Sequence, residues 1–181
     1  MELLLQRVRS GIVADVGTGS GCIALSLVQE GSFHQVVAVD LSAEAIALAR
    51  SNAELLGAGT RVEFLRADLC APLRPGMFDA LIANPPYLTA EEHGRLESAV
   101  RDWEPAVALV SGADGLETTY RLLDEGGDVL RPRGWLALEV DCTRAAAAAH
   151  RAIECGWDEV SIHKDLFGRE RYLLAQRSET R

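Results

Sequence analysis

The chain has 181 residues, 48% of them hydrophobic, which suits one folded unit with a sizeable core. Its formal charge of −9 repels phosphate backbones and argues against stable nucleic-acid binding. No stretch approaches the ~18 apolar residues of a membrane span, and "MELLLQRVRS" lacks the basic start and cleavage site of a signal peptide. No membrane association is therefore expected, and the expected compartment is the cytoplasm.

Strand and helix patterns alternate along the chain. "GIVADV" (11–16) reads as a β-branched strand ending at a glycine-rich turn, and "GCIALSLVQEG" (21–31) as a helix stopped by Gly31. "QVVAVD" (35–40) is a second strand. Ser42 is placed to cap a helix over "AEAIALARSNAELLG" (43–57). "RVEFLRAD" (61–68) alternates as a third strand, and "FDALIAN" (78–84) has the continuous apolar centre of a central parallel strand. Residues 88–115 are less regular. "LETTYRLLDEGGDVL" (116–130) resumes a helical pattern that Gly126 and Gly127 should weaken or bend. "RPRG" (131–134) reads as a turn, "WLALEV" (135–140) as a fifth strand, and "RAAAAAHRAIECG" (144–156) as a helix. Two last strands, 159–165 and 171–177, flank a turn at Gly168 and suit a closing antiparallel pair. Alternating β and α units, with no linker or repeat, predict one doubly wound α/β domain over 1–181.

The cysteines, Cys22, Cys70, Cys142 and Cys155, form no CxxC pair and read as reduced thiols. The histidines, His34, His93, His150 and His163, lack metal-ligand spacing, so no metal is expected. Arg169 and Arg171 form a basic pair whose plain reading is a solvated surface.

In such a sheet, ligands bind beyond the carboxyl ends of the strands. "DVGTGSG" (15–21) stands there. Gly17, Gly19 and Gly21 permit a tight turn and close approach of a ligand to backbone. The spacing is GxGxG with Asp15 in front, unlike the GxGxxG dinucleotide fingerprint. An acid at that place suits a ligand carrying positive charge better than a pyrophosphate. Asp40 closes the second strand, where an acid can accept from both hydroxyls of a ribose. Asp68 closes the third and could accept from an adenine amino group, with Leu69 packing nearby. Each acid alone has a bland reading as a cap or turn residue. Three acids at three successive strand ends, behind a glycine turn, together suggest S-adenosylmethionine.

The fourth strand ends in Asn84-Pro85-Pro86-Tyr87. The Asn84 carboxamide offers an acceptor and a donor on one plane. The C=O of Pro85 is free of a ladder because proline interrupts pairing. Two acceptors on a stiff turn could hold both N–H bonds of a planar amide or amino nitrogen in line with a methyl sulfonium. Tyr87 could pack on the substrate's flat group or near the cationic donor. In an arbitrary protein the same four residues would be a structural turn.

"DVGTGSGCIAL", "AVDLSAEAIALARSNA", "FDALIANPPYL" and "DWEPAVALVSGADGLETTYRLL" resemble the HemK-type release-factor glutamine N5-methyltransferases, and "GWLALEV" and "KDLFGRERYLLA" extend the resemblance almost to the C-terminus. The resemblance implies a class I S-adenosylmethionine-dependent methyltransferase fold. That fold is Rossmann-like: a mostly parallel seven-stranded sheet, helices on both faces, and a C-terminal antiparallel strand. It implies methyl transfer to the side-chain amide of the glutamine in the GGQ motif of peptide-chain release factors, leaving S-adenosylhomocysteine. Carried over by motif, Asp15, Gly17, Thr18, Gly19, Gly21, Asp40, Leu41, Asp68, Leu69 and Asn84 would contact the cofactor. Asn84, Pro85 and Tyr87 would be the catalytic residues, and with Pro86 would line the glutamine pocket. Glu104-Pro105 matches a family segment, with pairing to a backbone or basic group as its plain role.

The chain departs from the family in two places. Family members usually carry an N-terminal helical domain that helps engage the release factor, whereas "MELLLQRV" resembles only the end of the linker that follows it and the first catalytic helix. The reading is therefore a catalytic domain without that recognition domain. "EVDCTR" (139–144) also replaces a glycine-containing continuation. NPPY is shared with adenine N6-methyltransferases of DNA and RNA, which normally need a basic groove for a flipped base. A non-catalytic cofactor-binding module is a further alternative.

Overall fold

Strand β1 (Ser10–Val16) leads directly into a glycine turn, and helix α2 (Cys22–Glu30) leaves it; a short α1 (Glu2–Leu5) precedes the strand. The computed structural model describes residues 1–97 and 106–179. The chain continues through β2 (Ser32–Asp40), α3 (Ala43–Leu55), β3 (Val62–Arg66) and β4 (Phe78–Ala83). Two short helices follow, α4 (Ala90–Gly94) and α5 (Ala106–Leu109). Then come α6 (Glu117–Val129), β5 (Leu130–Glu139), α7 (Ala145–Glu154), β6 (Trp157–Lys164) and β7 (Glu170–Arg177).

The strands form one seven-stranded sheet in the order β3-β2-β1-β4-β5-β7-β6. The first five run parallel, while β7 lies antiparallel to both β5 and β6. The strand order reverses between β1 and β4, which places the switch point at the glycine turn and the NPPY segment. No helix among the described residues is long and apolar enough to cross a membrane.

Period-two alternation sends successive side chains to opposite faces. Val13, Ala80, Ile82, Ala137 and Leu174 pack with Leu4, Leu27 and Val28 of α1 and α2. Ala14, Val16, Leu81, Leu136 and Leu173 pack with Leu122, Leu123, Ala148 and Ala152 of α6 and α7. Every residue of β4 is buried, as its apolar centre predicts.

Three local expectations need correction. Gly126 and Gly127 neither break nor end α6; both are buried, and a Cβ at Gly126 would already stand 3.7 Å from Leu136 and Leu81. Packing of the helix against the sheet outweighs the ~1 kcal/mol propensity cost of each glycine. "RPRG" lies inside β5, with the irregularity reduced to a register shift against β4 and a positive φ of 63° at Arg133. Ladder pairing on both sides absorbs the turn as a bulge. Strand β2 also begins at Ser32 rather than at residue 35 because its start pairs with Ser10 and Gly11. The predicted cap of α3 is present: the Ser42 hydroxyl accepts from the Ala45 N–H at 3.1 Å.

Candidate methyl-transfer site

The glycine turn is pinned from three sides. The N–H groups of Gly17 and Thr18 both donate to the Val39 carbonyl, at 2.8 and 2.9 Å. Asn52 of α3 donates its side-chain NH₂ to the Ser20 carbonyl at 2.9 Å. Beneath the turn, Asp15 is fully buried, and its Oδ2 accepts from the Thr18 hydroxyl at 2.6 Å and the Ala24 N–H at 3.0 Å. Its other oxygen has no hydrogen-bond partner among the described residues. Burial, opposed by those two bonds, pushes the carboxyl up to about 6. Asp15 thus braces the turn and the start of α2 from below, and its carboxylate is closed off from solvent.

Gly17 and Gly19 have φ of +74° and +57°, and a Cβ at either would meet nothing within 4 Å. Both are glycine for their conformation, and the space above them is open. Gly21 differs: it adopts a φ of +84° and lies against Ala49, where a Cβ would come within 3.1 Å. Its role is packing of α2 on α3.

Asp40 stands at the end of β2 beside this opening. Its Oδ2 accepts from the Gly19 N–H at 2.8 Å and its Oδ1 from the Ser42 N–H at 2.9 Å. A carboxylate has about four acceptor positions, so two remain for ligand hydroxyls. Leu41 next to it is 53% exposed, an apolar surface at the rim. Asp68 is committed elsewhere in this structure, paired with Arg121 of α6 at 3.0 Å. Arg121 also contacts Glu125, and Glu125 accepts from the Cys70 N–H. Between them Leu69 carries a φ of 43°, a left-handed conformation that costs a branched residue of order 1 kcal/mol. Helix α6 therefore clamps the turn after β3. The open space over Gly17 and Gly19, with Asp40 beside it, could hold a ligand that presents hydroxyl groups to the carboxylate.

Asn84 projects into solvent from the end of β4, while Pro85 is buried behind it. The Pro85 carbonyl accepts no hydrogen bond from a described residue. The segment is held downstream of the prolines: Leu88 and Val110 form a parallel bridge, with Leu88 donating to Leu109 and Ser111 donating to Leu88. Thr89 and Glu92 form a reciprocal capping box at α4. Glu92 is gripped by both Arg144 bonds, at 2.8 and 2.9 Å, and Arg144 also donates to the Asp114 carbonyl at 2.6 Å.

Tyr87 is half-buried, and burial raises its phenol above the usual range. The cation over its ring is Arg171 of β7, 5.7 Å from the centroid. The expectation of Arg169 and Arg171 as one solvated pair is thus half right. Arg169 is exposed, bonded to Asp165 at 2.8 Å. Arg171 is partly buried against Tyr87, because β7 inserts beside β5 and brings it there.

A cavity of about 50 Å³ lies beside Asn84, bounded by Leu3, Ile23, Ala137, Glu139 and Tyr172. Glu139 ends β5 directly after Leu138, the partner of Ala83, so it stands level with Asn84 across the ladder. Its carboxylate forms no hydrogen bond or ion pair with a described residue, and burial pushes it above the usual range. Sequence reasoning missed Glu139 and Arg144. The first had a signal, since it continues the series of acids at strand ends. The second had none, because Glu92 and Asp114 come from two distant segments. Glu104 lies outside the described residues.

Comparison with known proteins bears on family and fold. Residues 1–100 match the family model described as methyltransferase small domain. The chain is 39% identical to the release factor glutamine methyltransferase of Nitratidesulfovibrio vulgaris, over 98% of this chain and 62% of that protein. It is 40% identical to the protein of that name from Moorella thermoacetica, over 99% and 64%. The chain therefore spans about three fifths of the length of the curated relatives it matches. Among solved structures, a methyltransferase from Pyrococcus furiosus superposes with a TM-score of 0.73 at 23% identity, covering 98% of this chain and 81% of that one. The ribosomal protein L11 methylase of Lactobacillus delbrueckii subsp. bulgaricus gives 0.72 at 23% identity, covering 98% and 76%. The sheet order, the antiparallel β7 and these likenesses define a class I S-adenosylmethionine-dependent methyltransferase fold, and the chain belongs to the methyltransferase small domain family.

Proposed function

We propose that this chain transfers a methyl group from S-adenosylmethionine to the side-chain amide nitrogen of a glutamine, in the GGQ motif of a peptide-chain release factor. The observation that carries the reading is the exposed Asn84 carboxamide beside the Pro85 carbonyl, which accepts from no described residue, both at the switch point and next to the open glycine turn. The names and near-full-chain similarity of the curated relatives support glutamine as the target. The charge of −9 disfavours a nucleic-acid target.

Bound S-adenosylmethionine would supply an electrophilic methyl group on sulfur. Asp40 accepts from ribose hydroxyls with its remaining lone pairs, while Gly17 and Gly19 let the ligand lie against backbone. Leu41 covers one apolar side and Leu69 packs near the base. Asp15 and Thr18 act from beneath, by holding the turn in shape. Asp68 reaches the base only if its bond to Arg121 is shared or exchanged. Asn84 Oδ1 and the Pro85 carbonyl each accept one N–H of the amide, which fixes its nitrogen and keeps it from turning away. Pro86 stiffens that pair, and Tyr87, under Arg171, forms a wall of the pocket. The catalytic unit is the single sheet with its helices, and its place of action is the cytoplasm, where release factors work.

Incubation with a release factor and S-adenosylmethionine, followed by mass spectrometry of the GGQ peptide, tests the reading. A gain of one methyl group on the glutamine is the expected result. Methylation of adenine in DNA or ribosomal RNA with none on the peptide would overturn it, as would cofactor binding without transfer to any of the three.

A further inference from the structure

The opposite end of the sheet carries a second concave feature. Where β1, β4 and β5 begin, an open groove of about 470 Å³ is lined by Arg7, Arg9, Ser10, Arg131, Arg133 and Trp135. Ser10 starts the strand that ends at the glycine turn, so the groove lies roughly 20 Å from the methyl-transfer site by strand rise. A chain with 18 basic and 27 acidic residues has gathered four guanidinium groups at one pole.

Two of these are neutralised locally. Arg131 pairs with buried Asp79, which also accepts from the Ile12 N–H at 2.7 Å. Arg133 reaches Glu179 at 3.3 Å, an exposed pair of little energetic weight. The other two have no carboxylate partner among the described residues, and each is nevertheless held in place. The Arg7 guanidinium stacks 4.9 Å from the centre of the Trp135 ring. Arg9 donates its Nε to the Leu5 carbonyl at 3.1 Å, and neither terminal nitrogen bonds to a described residue. Stacking and a backbone anchor lower the entropy lost when such a side chain grips a ligand.

We propose that this groove is a binding site for a phosphate monoester group, separate from the methyl-transfer site. Two uncompensated guanidinium groups match a charge of about −1.5 to −2 at neutral pH. Planar N–H forks match the tetrahedral oxygens bidentately, and the Ser10 hydroxyl supplies a further donor. A carboxylate brings only a single negative charge to the two guanidinium groups. A long polyanion is held off by the negative charge of the rest of the molecule. The ligand is therefore a compact phosphate, either a free small molecule or the phosphorylated end of an oligonucleotide.

The test is an NMR titration of the full chain at low salt, following the Arg7 and Arg9 Nε–H groups, the Ser10 amide and the Trp135 indole. Inorganic phosphate should shift these signals saturably, and equimolar chloride should not. Arg7→Gln/Arg9→Gln should weaken phosphate binding at least tenfold, while calorimetric affinity for S-adenosylmethionine stays within twofold. Arg9→Lys keeps charge without the fork, retains the packing, and should lose three- to tenfold. A 5′-phosphorylated pentanucleotide binding tenfold tighter than inorganic phosphate assigns the nucleic-acid source; equal binding assigns a free phosphate. The proposal fails if phosphate produces no saturable shift, if the arginine variants bind it as the unaltered chain does, or if an unphosphorylated oligonucleotide binds as tightly as the phosphorylated one.

Discussion

Gly115 lies against the carbonyl oxygen of Tyr87: a Cβ at position 115 would stand 2.4 Å from that oxygen and 2.8 Å from Nε of Arg144. The backbone there has a φ of +76°, so both space and conformation call for glycine. This contact is how the distant "GADGL" segment supports the NPPY turn. Gly115→Ala should destabilise the fold by about 1–3 kcal/mol. It should also lower methyl transfer more than cofactor affinity. Urea unfolding with calorimetry and a turnover assay checks this; unchanged turnover in a stably folded variant would separate Gly115 from the turn.

Asn84→Ala removes an exposed side chain with no bond to the rest of the described protein. Stability should change by less than ~0.5 kcal/mol, and cofactor affinity should stay within a few-fold. Transfer should fall by about 100-fold or more, the usual scale for loss of a group that orients and stabilises the reacting centre. Near-normal turnover would sink the amide clamp.

Asp40→Ala should weaken cofactor binding by about 1–3 kcal/mol through lost hydrogen bonds. Because Asp40 also holds the N–H groups of Gly19 and Ser42, hydrogen exchange at those two amides should accelerate in the same variant. An unchanged dissociation constant would remove Asp40 from the ribose site.

Asp15 gives the fold a pH dependence of unusual sign for a carboxylate. Its folded value, about 6, lies above the reference of 3.8, so the folded state holds a proton that the unfolded state has released. Its contribution is fully present below about pH 4, is lost as pH rises toward 6, and is flat above that. The span corresponds to about 3 kcal/mol. Asp15→Asn should flatten this part of the stability curve. Wild-type and variant stability curves that run parallel between pH 4 and 6 would show that Asp15 contributes no such loss.

Much of the fold was legible because its signals are local. The β-branched run 11–16, the apolar run 78–83 and the Ser42 cap each act through neighbours within one element. The glycine turn was legible for the same reason, since a positive φ at Gly17 and Gly19 is a property of the turn itself. Gly126 misled because its propensity cost is local whereas its compensation comes from Leu81, Leu136 and Trp157 on other elements.

The amino-acid sequence by itself determined the order of strands and helices, the glycine turn, the acids that follow it and the stiff Asn84-Pro85-Pro86-Tyr87 end of β4. These depend on residue type and short spacing. Only the tertiary structure decided what those groups are attached to. It gave Asp68 to Arg121, closed Asp15 beneath the turn, set Arg171 over Tyr87 and brought Glu139 level with Asn84. It also gathered Arg7, Arg9, Arg131 and Arg133 around one groove. Strand order and register choose such neighbours, and they are set by how helices α1 to α3 and α6 to α7 cover the two faces of the sheet. No spacing along the chain records that choice.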